Sequence, residues 1–174
     1  MRKLETDRLI LIPLDIENFR LFIEDTSVME RNLGLNITGK ELSPEMKAIF
    51  REPYQKAVKD AKNYLWYTNW QIVLKDENQI IGGISFKGLP DDAGEVEVGY
   101  GIEEKHQNRG YMAEVLGRMI DWAFTQKGVR SVIAETEKDN KPSQRVLDKV
   151  GMKKYKETRD FYWYKIDKEN IKRF

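Results

Sequence analysis

From Tyr100 to Glu114 the chain reads Tyr-Gly-Ile-Glu-Glu-Lys-His-Gln-Asn-Arg-Gly-Tyr-Met-Ala-Glu: the end of an alternating strand, a charged loop and the start of an amphipathic helix. The first N–H groups of a helix have no intrahelical acceptor and sit at the positive end of its dipole, so such a start makes an anion site. Here it would comprise Gln107, Asn108, Arg109, Gly110, Tyr111 and Met112, with Gly110 allowing close backbone approach and Arg109, Lys105 and the Gln107 amide adding donors. A pyrophosphate is the natural guest. The same spacing also suits a plain strand-to-helix connection. Two other phosphate motifs fail: Glu104 stands where a dinucleotide fingerprint starting at Gly99 needs its third glycine, and no Gly-Lys-Ser/Thr forms a P-loop.

The remaining chemistry is narrow. The chain has no Cys and one His, which excludes thiolate zinc sites and Cys nucleophiles and leaves no His cluster for a metal. Carboxylate, hydroxyl, amide and backbone chemistry is left. His106, in a charged loop, is expected in solvent. With 30 Lys+Arg against 29 Asp+Glu, the surface lacks the basic excess that displaces counterions from nucleic acid. No apolar run approaches the roughly 18 residues of a membrane span, and the first residues lack a signal peptide's apolar core. The expectation is a cytoplasmic protein without metal, nucleic-acid or membrane partners.

The elements that must position these groups follow from periodicity. Arg8 to Ile12 predicts a strand, and Asp15 caps a helix with Ile16, Phe19, Phe22 and Ile23 on one face. Thr26 to Leu42 reads as irregular. Ser43-Pro44 starts a helix running to Asn63, which Pro53 should kink or break in two. Strands at Thr68 to Leu74 and Gln79 to Phe86 form a hairpin, followed by a strand from Glu95 to Ile102 that puts Glu95, Glu97, Gly99 and Gly101 on one face. A helix from Gly110 to Gln126, a strand from Ser131 to Glu135, a helix from Asn140 to Val150 and strands at Met152 to Thr158 and Phe161 to Ile166 complete the chain, with a solvated tail from Lys165. No linker or repeat divides it, so one mixed α/β domain over residues 1–174 is expected, with a β-α-β crossover that makes the strands at 95 and 131 parallel.

Gln107-Asn-Arg-Gly110-Tyr-Met112 resembles the Gln/Arg-x-x-Gly-x-Gly/Ala signature of the GNAT N-acetyltransferases. Leu4-Glu-Thr-Asp-Arg-Leu-Ile-Leu11, Glu97-Val-Gly-Tyr-Gly-Ile102 and Asn140-Lys-Pro-Ser143-Gln-Arg-Val-Leu-Asp-Lys-Val-Gly-Met152 are similar to its Rim-type branch, which includes acetyltransferases of ribosomal-protein N-termini. The resemblance spans nearly the whole chain and is weakest from Thr26 to Tyr67. It departs at Met112, where Gly or Ala is commonest, and at Leu147, where many members carry a Tyr that protonates the departing thiolate.

The resemblance implies a mostly antiparallel twisted sheet with helices on both faces and a splayed parallel strand pair that takes pantetheine as a pseudo-strand. It implies acetyl-CoA as cosubstrate, held at Gly101, Ile102, Gln107 to Met112 and Asn140, and direct transfer to a primary amine, either a protein N-terminus or a small molecule. Glu97 is the first candidate base and Glu135 the second. Backbone amides near Gly101 and Ile102 would stabilise the thioester oxygen, and Ser143 would take the place of the absent Tyr as proton donor to sulfur. Leu147 also leaves room for a non-catalytic acyl-CoA-binding module. The acceptor's identity and the oligomeric state, a homodimer included, stay open.

Overall fold

The computed structural model describes residues 2–171. Eight strands, β1 (Leu4–Glu5), β2 (Leu9–Pro13), β3 (Trp70–Leu74), β4 (Gln79–Phe86), β5 (Glu95–Ile102), β6 (Ser131–Glu137), β7 (Lys153–Glu157) and β8 (Phe161–Asp167), form one sheet in the order β1-β2-β3-β4-β5-β6-β8-β7. Every neighbouring pair is antiparallel except β5 and β6, which the helix α4 (Tyr111–Thr125) connects as a crossover. The other helices are α1 (Ile16–Glu24), α2 (Thr26–Asn32), α3 (Pro44–Lys59) and α5 (Lys141–Lys149). The parallel pair and the mixed α/β architecture match the expectation from sequence.

Alternation along the strands sorts the apolar residues into two cores. Leu9, Leu11, Ile72, Ile84, Val96, Val98, Val132 and Ala134 pack with Val115, Leu116 and Met119 of α4 and with Leu147 of α5, and Trp66, Trp70, Phe86 and Trp122 stack within the same cluster. A second cluster holds α1 to α3 together through Phe19, Phe22, Met29 and Ala57, with Ile80 of β4 packed against it. Consecutive Ile80 and Ile81 face opposite sides of β4 and serve different cores, and the bulge there, with Val73 paired to Ile80 and Ile72 to Gly82, puts Ile81 rather than Ile80 on the face of Ile84 and Phe86.

Three local expectations are corrected. Thr26 to Asn32 is helical rather than irregular, because Asp25 ends α1 and caps α2 by accepting from the Val28 N–H at 3.2 Å. Pro53 does not divide α3, which runs unbroken from Pro44 to Lys59. Proline denies one hydrogen bond to the carbonyl of Ile49, and Ile49 is on the wet side, 60% exposed, where water can replace it. Lys165 to Asp167 belong to β8 rather than to a solvated tail; of that predicted tail, residues 172–174 lie outside the described residues.

Candidate active site

β5 and β6 pair only at Glu95–Ser131, Val96–Val132 and Glu97–Ile133. Beyond that, β5 continues on β4 as far as Ile102 and β6 continues on β8 as far as Glu137, so the two strands part in a V. The phase of the β4–β5 ladder follows from its ends, where the Lys87 N–H donates to the Glu97 carbonyl and the Glu103 N–H to the Ile81 carbonyl, both at 2.9 Å. Odd-numbered residues of β5 therefore bond to β4, and the N–H groups of Val98, Tyr100 and Ile102 face the V. Of the two amides expected to serve there, Ile102 has the donor and Gly101 does not.

Two cavities meet at this strand end. One of about 460 Å³ lies between the β5 end, the 107–113 turn and α5; the other, of about 480 Å³, lies between β3, β4, β5 and the α1–α3 layer. Tyr100, Gly101 and Ile102 line both.

The first cavity opens on an anion cradle. Gly110 is the N-cap of α4 with φ 80°, and Asn108 has φ 59°, so successive N–H groups turn to one side, and no side chain caps the helix. A Cβ at Gly110 would lie 3.4 Å from Arg8 Nη2 and 3.6 Å from Lys149 Nζ, which places two cations beside the bare turn. Arg8 is fixed by a salt bridge to Glu114 at 2.7 Å, by donating to the Arg109 carbonyl at 3.0 Å, and by stacking 4.4 Å over the Tyr111 ring. Burial raises the Glu114 carboxyl, but hydrogen bonds from Thr6 and from the Arg8 backbone and guanidinium outweigh it and hold the group below the usual range. Free amides, a left-handed glycine and paired cations fit a pyrophosphate.

Gln107, Asn108, Gly110, Tyr111 and Met112 line this cavity, and Gln107 Nε2 donates to the Ile102 carbonyl at 3.3 Å. The Arg109 side chain is not part of its lining; Arg145 and Lys149 of α5 line it and Arg8 lies against Gly110 at its edge, charges that sequence reasoning missed. All three lie inside segments that carry the resemblance, but nothing local directs them to the cradle, since Arg8 lies a hundred residues upstream in the bend before β2 and the other two in α5.

Asn140 and Ser143 are brought to the V by α5. The Asn140 side-chain Oδ1 caps the helix, accepting from the Ser143 N–H at 3.1 Å. Ser143 Oγ is 3.0 Å from the Tyr100 hydroxyl, a hydrogen bond in which either can donate. Burial pushes the Tyr100 phenol up; the Ser143 bond pulls it down and Tyr164 raises it further, so Tyr100 stays protonated at neutral pH. Leu147, in the family's Tyr position, is fully buried in the core. Tyr100 brings a phenol to the same serine from β5.

The carboxylates are placed differently from the expectation. Glu97 lines neither cavity; it pairs with Lys87 at 2.5 Å, and Glu135 lies 3.7 Å from the same ammonium. Glu103 lines the second cavity, with one oxygen on Lys40 and the other buried 3.2 Å from His106 Nδ1. His106 itself is 3% exposed, not in solvent, because the short 3-10 turn Glu104–His106 folds its ring toward Tyr111 and between Glu103 and Glu77.

Residues 8–153 match the family model described as an acetyltransferase (GNAT) domain. An uncharacterized N-acetyltransferase of Bacillus subtilis, YjdG, is 32% identical over 149 residues, covering 85% of this chain and 88% of that protein. Among solved structures, a ribosomal-protein-S5-alanine acetyltransferase from Vibrio fischeri superposes with a TM-score of 0.73 at 18% identity, covering 99% of this chain and all of that one. RimJ of Mycobacterium smegmatis, solved in complex with CoA-disulfide, superposes with a TM-score of 0.67 at 16% identity over 95% of this chain and 84% of its own. With the splayed strands and the cradle, these likenesses show that the chain belongs to the GNAT family and is a GNAT-type acetyltransferase.

Proposed function

We propose that this protein transfers an acetyl group from acetyl-CoA directly to a primary amine, by a ternary complex of the Rim-type branch. The observation that carries this reading is the meeting of two cavities at Tyr100–Ile102, one with an anion cradle and the other without. Bound with its phosphates on the cradle, the cosubstrate supplies an acyl thioester at the V. Gly110, the first amides of α4, Arg8 and Lys149 hold the phosphates. The Ile102 N–H, which faces the V, would donate to the thioester oxygen and stabilise the charge that develops there.

In the transfer a C–N bond forms and the C–S bond breaks; the nitrogen gives up protons and the sulfur takes one. Ser143 Oγ donates to the leaving sulfur and takes the Tyr100 hydroxyl proton in turn, and Tyr100 regains a proton from solvent through the cavities it lines, so the thiol's proton is balanced by those the amine releases. Glu103 accepts from the amine in preference to Glu97, since it lines the acceptor cavity and its exposed partner Lys40 exchanges readily with solvent. A protein α-amine, with an unperturbed pKa of about 7.7–8.0, asks less of such a base than a lysine at about 10.4. Free-thiol release from acetyl-CoA across a panel of amines and N-terminal peptides tests the proposal. Amine-dependent release supports it; bound acetyl-CoA with no release on any acceptor overturns it.

A further inference from the structure

The acceptor cavity has a floor that the proposed reaction does not use, and the inference below rests on that reaction. Gln71 of β3 pairs with Gly83 of β4, which pairs with Gly101 of β5. Residues paired in register share a sheet face, so this row runs about 10 Å, at roughly 4.8 Å per strand, from Gln71 to the end of the V with no side chain after the first. A Cβ at Gly83 would come within 2.6 Å of Asn69 Oδ1, while at Gly101 it would meet open space.

At the far end Gln71 Nε2 donates to Asn69 Oδ1 at 2.6 Å. The two residues are 2% and 5% exposed and both line the cavity. Among the described residues this leaves Asn69 Nδ2, a donor, and Gln71 Oε1, an acceptor, without a protein partner, and neither atom is sealed from the cavity. Buried polar groups are stable only when satisfied. Two amides locked to each other and presenting one donor and one acceptor are the complement of a third amide. Around them the walls are apolar, with Phe22, Met29, Phe50 and Ile80.

We infer that Asn69 and Gln71 set acceptor specificity: the amine lies over Gly101, an amide of the acceptor pairs with Asn69 Nδ2 and Gln71 Oε1, and its apolar side chain enters the Phe22–Met29–Phe50 wall. The acceptor class is a primary amine joined to an amide and an apolar side chain, a chemistry that amino-acid amides and peptide N-termini share.

The test compares leucinamide, a leucyl dipeptide amide and isopentylamine, which is leucinamide without its amide, by kcat/KM of thiol release. Because an amide also lowers its neighbour's amine pKa, the deciding number is the effect of Gln71→Met on each acceptor. The expected result is a loss of about tenfold or more for an amide acceptor and a change within about twofold for isopentylamine. A loss confined to the dipeptide amide identifies a peptide N-terminus as the source; a loss on leucinamide as well admits the small molecule. Equal effects on all three, or none, overturn the inference. Asn69→Ala, which empties the space above Gly83, gives the same reading if Gln71→Met folds poorly. Should no amine be turned over, the acetyl-transfer reading fails separately, and calorimetry of the dipeptide amide against isopentylamine decides: no preference overturns the inference.

Discussion

Ser143 and Tyr100 form a pair that one chain position could not have shown. The serine was legible, since Asn140-Lys-Pro-Ser143 carries both a cap pattern and the family resemblance. Tyr100 was not, because strand alternation assigns it to the core face along with Val96 and Val98, and only the parting of β5 and β6 turns that face into a cleft. If the two hydroxyls act in series, Ser143→Ala should lower kcat by tenfold or more with little change in KM, and Tyr100→Phe by less. The double variant should be no slower than Ser143→Ala alone, as expected of groups acting as a unit; additive losses would separate them. The carboxylates are the site's least legible part, because strand spacing cannot tell which end of β5 reaches a cavity. Glu103→Gln should reduce kcat/KM about tenfold or more while Glu97→Gln stays within about threefold, measured as pH–rate profiles on one acceptor. The reverse order would return the base to Glu97.

At the scale of the element, the 107–112 turn was readable because its function lies in its backbone: a glycine before a helix, and amides without acceptors. Gly110→Asp puts a carboxylate where the phosphates would lie and a side chain at φ 80°, so CoA affinity should fall by at least tenfold in calorimetry. Unchanged affinity would remove the cradle from the account. α5 supplies a second prediction. Leu147 is sealed in the core, so Leu147→Tyr should destabilise the fold by about 1–3 kcal/mol in denaturant titration through overpacking. It should not raise turnover, since the phenol is already provided by β5. The elements that sequence misjudged, α2 and the unbroken α3, belong to the layer over the acceptor cavity, where a cap shared between two helices and a half-buried proline whose lost bond falls on an exposed turn carry weak local signals.

Across the whole molecule, the site depends on contacts that close the chain on itself. The N-terminal segment reaches α4 through Thr6 and Arg8 on Glu114, and this holds Arg8 beside the cradle. Glu114 has its carboxyl lowered in the fold despite the opposing effect of burial, so its contribution to stability is present above the unfolded value of about 4.3 and lost as pH falls through the lower folded value. Glu114→Gln should therefore lower Tm at neutral pH by a few degrees, at about 2–4 °C per kcal/mol, with the difference from the parent shrinking once the pH falls below the unfolded value and vanishing below the folded one. A difference that persists in acid would show that packing, not charge, ties the segment. The strands and the parallel pair were legible from periodicity and the crossover rule, whereas the place of β8 between β6 and β7 and the convergence of Arg8, Lys149, Tyr100 and Ser143 are products of tertiary folding.

Direct transfer at the junction of the two cavities is the central claim, and a single-turnover experiment tests it most directly. Protein loaded with acetyl-CoA is mixed with a primary amine, quenched, and the free thiol, the N-acetylated amine and any acetylated protein are counted. Thiol and acetylated amine rising together one to one, with no acetyl on the protein, is the predicted result. Thiol released before the amine is acetylated, with the acetyl group on a side chain of this chain, would contradict it.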